Sequence, residues 1–504
     1  MKASILSSTP ATKQVEMLSY LVYEGEKLLH NPSQEMLKRS DFTGADGQIL
    51  TVGNLDGYDV VVFAGLGKKK NVSELKMQNA VASVVRFATS KNLSTLAVVI
   101  PEELSPELKG SSCMVGARLG AYQFLKYKTD EKTKKFKKIE QISFVVSKGA
   151  EDFKKGLEFG VVLASGVALA RDLVNDPASH TNTQTLVDTA NLIASNSENI
   201  SVTVLDEEQC KKLGMGSYLS VARGSIVPPK FIVLHYSPSV SAKSPKGRST
   251  SGRKKIALVG KSIMFDSGGL SLKPSESMED MKIDMSGGAT VLGVFKILSE
   301  LSSNPDFAKA TAGKEIFGIL PSCENMPSGH ATRPGDIVTA MNGKTIEVLN
   351  TDAEGRLTLA DGLVYAEKHC KADVIIDLAT LTGACMVALG NDLAGLFSND
   401  DELSQSFEKE AKETGDEFWK MPLHLPYLKK MKSDIADLKN IGGGRYGGAI
   451  TAAVFLSEFV EKAKWIHIDI AGPAFRTEAP KGVLGKGATG WGVLSIYQFL
   501  ISNY

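Results

Sequence analysis

The sequence predicts an α/β protein: a small N-terminal α/β domain, joined by a long helix to a larger C-terminal α/β domain with a central mixed sheet. Three observations predict it. Short apolar runs alternate with helix-period amphipathic stretches along the chain, the pattern of layered strands and helices. At 504 residues the chain exceeds what one ordinary core encloses. Residues 153–173 read as one long helix, placed to bridge two domains. The expected divisions are 1–152, a linker helix within 153–178, and 179–504.

In chain order, residues 59–64 form an apolar run that reads as a strand ending at Gly65. Residues 73–89 read as an amphipathic helix. Residues 96–100 and 141–146 read as further strands. Gly65, Leu66 and Gly67, followed by Lys68, Lys69 and Lys70, lack the full nucleotide-binding fingerprint and are read as a solvated turn. Asp176 and Pro177 end the long helix. Beyond residue 180 the alternation resumes, with strands expected over 255–259, 316–320, 374–378 and 465–470. No internal repeat is visible.

Hydrophobic residues make up 43% and charged residues 23%, as in soluble globular proteins. A formal net charge of +1 gives no general attraction to nucleic acid or an anionic membrane. No apolar run approaches a membrane span. The five cysteines, Cys113, Cys210, Cys323, Cys370 and Cys385, are scattered and lack CxxC spacing, so they read as reduced thiols in a reducing compartment. The seven histidines show no ligand spacing, so carboxylates must hold any bound metal. The first fifteen residues hold two lysines, no acid and no secretory apolar core. A cytoplasmic location is expected, with a mitochondrion or other organelle as the alternative. Two basic stretches, 132–138 and 237–255, are read as solvated loops, the second as a flexible insertion; neither carries the interleaved aromatics of a nucleic-acid site.

The most informative segment is the octapeptide from Asn350 to Leu357. It places Asp352, Glu354 and Arg356 at alternate positions, which an extended segment turns to one side. Mixed charges beside an apolar strand are costly to desolvate without partners. A divalent cation would satisfy the carboxylates and an anion the guanidinium; the plain alternative is a surface loop with a local salt bridge. A second segment adds Lys261, Asp266, Lys273 and Asp284 within an apolar, glycine-rich stretch. Acidic groups converging from separate segments suit Mg, Mn or Zn.

The run from Val259 to Pro274, with Asp284 and the octapeptide, closely resembles the leucine (cytosol) aminopeptidase family of two-metal exopeptidases. Glu324 to Gly329, Arg333 to Asp336, Ala379 to Ala384, Asn440 to Gly442 and Ala488 to Gly492 fit it too, so the resemblance covers roughly 155–500. A proline usual in the family near Gln184 is missing, which touches a helix start rather than chemistry.

The resemblance implies that 179–504 is the catalytic domain of a metal-dependent aminopeptidase. Two divalent cations would be bridged by Asp266 and Glu354. Asp352 would complete the looser site, and Lys261 and Asp284 the tighter one. A bridging hydroxide would attack the scissile carbonyl. Lys273 would face the developing oxyanion, and Arg356 would hold bicarbonate as proton relay. A lysine ligand must be a neutral amine, and burial with adjacent cations would lower its pKa; the plain reading of Lys261 is an ion pair with Asp266. Met281, Thr380 and Gly383 match the first specificity pocket, favouring leucine and other apolar N-terminal residues, although Met281 also reads as plain core. The resemblance implies peptide substrates with a free N-terminus and a homohexamer, a dimer of trimers. The competing readings are a catalytically secondary scaffold, a DNA-binding relative, and another two-metal hydrolase such as a phosphatase.

Overall fold

The computed structural model describes all residues except 27–40, 56, 103–104, 239–251, 445 and 503–504. Most of the basic insertion at 237–255 therefore lies outside the described residues. By internal contacts the chain divides into two compact units, one of residues 1–168 with 477–486, the other of 169–476 with 487–504. The long helix Ala150–Asn175 crosses that division.

The first unit is built on a six-stranded sheet. Its order is Lys2–Leu6, Gln141–Val145, Thr95–Val99, Met17–Val22, Tyr58–Gly65 and Ile49–Leu55. All neighbours run parallel except the last pair. Helix Glu74–Ser90 starts where Ser73 accepts from the Lys76 amide, and it buries Met77, Val81, Val84, Val85 and Ala88 in the core. The strand Met17–Val22 has no alternating pattern because both of its faces are covered, and it is buried throughout. The glycine turn after Gly65 is not solvated as expected. Residues 65–67 are buried, because the chain at Gly44 and Ala45 packs against Gly65; only Lys68, Lys69 and Lys70 are exposed. In the basic stretch 132–138, the described lysines Lys135, Lys137 and Lys138 are exposed, as a solvated loop requires.

The second unit carries a nine-stranded mixed sheet. Its centre is parallel: Lys464–Asp469, Val374–Ala379, Lys254–Gly260 and Lys314–Asn325 lie side by side. Antiparallel strands flank them: Ala394–Ser398 on one side, Lys230–Tyr236 then Ile200–Leu205 on the other. Alternate residues of Lys254–Gly260 feed opposite faces. Ala257 and Val259 pack with Leu357, Leu359, Ala360 and Leu363 of helix Gly355–Lys368. The neighbouring helix Ser286–Leu301 is apolar nearly all round and deeply buried, which marks it as a core helix. Helix Thr183–Ser195 starts without the usual proline. Asn182 accepts from the Thr185 amide while Thr185 reaches back to the Asn182 amide, a reciprocal cap.

Candidate active site

The central strands are parallel, so their carboxyl ends lie along one edge of the sheet, where open α/β sheets form ligand crevices. Lys261 follows strand Lys254–Gly260, Asn325 ends Lys314–Asn325, Thr380 follows Val374–Ala379, and Asp469 ends Lys464–Asp469. A short strand, Ser262–Asp266, runs on beside the far end of Lys314–Asn325 and brings Asp266 level with Asn325. Asp284 comes from the 3₁₀ turn Met281–Met285, which precedes helix Ser286–Leu301.

Two ammonium groups sit among four carboxylates. Lys261 Nζ lies 2.8 Å from Asp284 Oδ1 and 2.7 Å from Glu354 Oε1. It also donates to the Thr380 carbonyl at 3.0 Å. Lys273 Nζ lies 2.8 Å from Asp266 Oδ2 and 2.6 Å from Asp352 Oδ1. The plain reading of Lys261, an ion pair with Asp266, is thus replaced by pairs with Asp284 and Glu354. Thr380 Oγ1 donates to Asp284 Oδ1 at 2.7 Å. Gly355 makes room for this, because a Cβ there would stand 2.6 Å from Lys261 Nζ. Gly268 and Gly269 both have positive φ, +86° and +64°, and wrap the chain tightly behind Asp266.

Four carboxylates face two ammonium groups, so the acids outnumber their direct cationic partners. Asp266, Asp284 and Glu354 present oxygens that lie within 4.8 Å of one another. Asp284 Oδ2 and Glu354 Oε2 are buried without a hydrogen-bond partner. Unpaired oxygens of this kind are costly in a protein interior. Burial, with Glu354 and Asp266 as like-charged neighbours, pushes the Asp284 carboxyl well above the usual range despite Lys261. Burial and Glu354 raise Asp266 as well. An all-oxygen donor set held this close, with orphaned lone pairs, fits divalent cations. Burial alone would lower the Lys261 ammonium, but Asp284 and Glu354 outweigh it and hold the group above the ordinary lysine value. The lowered value expected from sequence is thus absent from the carboxylate network taken by itself.

The octapeptide does not adopt the extended geometry expected of it. Thr351 and Asp352 form a turn, and helix Gly355–Lys368 begins directly after Glu354. Arg356 is therefore a helical residue, and alternation does not explain its direction. It is buried, its Nη1 donates to the Asn440 carbonyl at 2.7 Å, and its Nε has no partner. Burial lowers the guanidinium to about 10. Thr380 joins the network directly. Met281, at the start of the turn that carries Asp284, is half-buried, and Gly383 is exposed with open space about its Cα.

Three residues had no role assigned from sequence. Asn325 Nδ2 donates to Asp266 Oδ1 at 2.8 Å. Asn440 Oδ1 accepts from the Leu349 amide and its Nδ2 donates to the Asn350 carbonyl, which staples the start of the octapeptide. Asp469 accepts from the Leu381 amide at 3.1 Å and the Thr382 hydroxyl at 2.6 Å, anchoring the loop after Thr380. Asn325 and Asn440 lie inside motifs that fit the family, and that was the available signal; Asp469 lies outside them.

Comparisons with known proteins bear on the family and the fold. Residues 168–497 match the model of the cytosol aminopeptidase family catalytic domain, and residues 22–131 match the family's N-terminal domain. A probable cytosol aminopeptidase of Gloeobacter violaceus is 41% identical over 482 residues, spanning 93% of this chain and 91% of the relative. A mutant of tomato leucine aminopeptidase superposes with a TM-score of 0.84 at 35% identity, covering 100% of this chain and 97% of that one. The bottromycin maturation enzyme BotP in complex with Mn superposes with a TM-score of 0.83 at 30% identity, covering 96% and 99%. With its fold, its clustered carboxylates and both domain matches in agreement, the chain belongs to the cytosol aminopeptidase family, the metal-dependent aminopeptidases.

Proposed function

We propose that this chain releases N-terminal residues from peptides, leucine and other apolar residues first. The observation that carries this reading is the pair of orphaned oxygens, Asp284 Oδ2 and Glu354 Oε2, inside a buried cluster with more carboxylates than ammonium groups. Lys261, Asp266, Asp284, Asp352 and Glu354 would hold two divalent cations, Zn, Mn or Mg. Bound there, such cations supply water of lowered pKa and Lewis-acid polarisation of a carbonyl. Lys273 is the more open of the two lysines, 14% exposed against 3% for Lys261. It is therefore the group that reaches the substrate carbonyl and donates to the oxyanion as it forms. Arg356, with a free Nε, would hold a small anion such as bicarbonate, which takes the proton.

Met281, Thr380 and Gly383 would line the pocket for the N-terminal side chain. Methionine is apolar and adaptable, so apolar residues enter without leaving a buried charge unpaired. A panel of aminoacyl p-nitroanilides, assayed after chelation and again with Mn or Zn restored, tests both parts. The expected result is no hydrolysis when stripped and fastest release of leucine or methionine when restored. Full activity in the stripped protein sinks the metal reading, and fastest cleavage of acidic residues sinks the pocket.

The assembly would be a homohexamer, two trimers packed through their catalytic domains, and the location cytoplasmic. No helix among the described residues is long and apolar enough to cross a membrane. Mass photometry should give particles of six times 54.0 kDa; a single monomer or dimer peak would overturn the hexamer.

A further inference from the structure

Asn325 is buried, 4% exposed, and touches both halves of the carboxylate cluster. Its side-chain amide has two hydrogens, and both are used. One goes to Asp266 Oδ1 at 2.8 Å and the other to the Thr351 carbonyl at 2.9 Å. Its own carbonyl accepts from the Ser267 amide at 3.0 Å and from the Ser267 hydroxyl at 2.6 Å. Its Oδ1 fills the space over Gly269, where a Cβ would stand 2.7 Å away. Thr351 closes the same joint, donating to the Gly268 carbonyl at 2.7 Å and accepting from the Ser271 amide at 2.8 Å. Asn325, together with Thr351, thus ties the turn 266–269, which carries one carboxylate, to the turn 350–354, which carries two.

The chemistry follows from donor counting. Asp266 Oδ1 accepts from Asn325 Nδ2 and from the Gly268 amide at 2.9 Å, both neutral donors. That fixes the carboxylate plane and reserves Oδ2, the oxygen facing Lys273, for a cation. An asparagine suits this place because it donates without adding charge. Hydrogen bonds to a ligating carboxylate orient it and tune its affinity.

We infer that Asn325 is a positioning residue for the metal cluster, setting both the orientation of Asp266 and the separation of the Asp266 and Asp352 segments. This rests on the metal reading above. The test is Mn²⁺ titration calorimetry on the full-length chain after chelation, for the parent, Asn325→Leu and Asn325→Ser. Thermal unfolding with and without Mn²⁺ accompanies it. Loss of both amide hydrogens should weaken Mn²⁺ binding by roughly 10–100-fold, the scale of an outer-sphere partner. The Mn²⁺-induced rise in Tm should shrink in step. A purely packing role would lower the metal-free Tm and leave that rise intact, which overturns the inference. If Asn325→Leu fails to fold, the smaller serine variant decides on the same readings. Parent binding with unchanged dissociation constants in the variants sinks this inference alone; no Mn²⁺ binding by the parent sinks the metal reading with it.

Discussion

Glu354→Ala is expected to reduce turnover to background. Glu354 is buried at the start of helix Gly355–Lys368, with one oxygen 2.7 Å from Lys261 Nζ and the other unpartnered. It is the proposed bridge between two cations, so its loss should exceed the roughly 10–100-fold typical of residues that only support a ligand. Stability should respond differently. Three carboxylates whose oxygens lie within 4.8 Å of one another repel. Removing one leaves Lys261 paired with Asp284 and the Thr380 carbonyl. The metal-stripped variant should therefore unfold at a Tm no lower than the stripped parent, while the stabilisation on adding Mn²⁺ disappears. Calorimetry beside a leucine p-nitroanilide assay separates the two effects. A variant that keeps its activity refutes the bridging role, and one that loses activity only by unfolding leaves the bridge without support.

Lys273→Ala should lower kcat by roughly 10²–10³, the scale of losing one oxyanion donor. Lys273 Nζ pairs with Asp266 and Asp352, so another account must be separated from catalysis. If the lysine only neutralised those carboxylates, the variant would bind cations at least as tightly as the parent and turn over normally when loaded. If it serves the oxyanion, metal affinity is kept and kcat falls. The metal-free variant should also lose stability, because Asp266 and Asp352 would lose their direct ion-pair partner in a largely buried site. Steady-state kinetics at saturating Mn²⁺ decides, and a near-parental kcat refutes the role.

Much of the fold was legible because the buried strands are continuous apolar runs. Residues 255–259 and 374–378 fall within strands Lys254–Gly260 and Val374–Ala379, and 465–470 runs one residue past strand Lys464–Asp469. The outer strands Ile200–Leu205 and Ile49–Leu55 mix buried and exposed positions and escaped notice. The cluster was legible in residue type but not in geometry. Alternation along Asp352, Glu354 and Arg356 suggested extended chain, yet a turn and a helix start lie there, because the packing of Leu357 and Leu359 prevails over a three-residue pattern. Which carboxylate each lysine meets depends on strand register, and Asn325 reaches Asp266 only because the strand irregularity between Ile263 and Asp266 brings the two level. Neither is written in spacing.

Four neighbouring strand tips each contribute one group to the crevice, from positions as far apart in sequence as Lys261 and Asp469. No contiguous fragment holds more than a part of it. Ion capture therefore depends on the finished sheet, since Asp284 and Glu354 meet at Lys261 only once the long loops between them have closed. Cations bound there would act as a seal on completed architecture, offsetting the repulsion among acids that Lys261 and Lys273 only partly relieve.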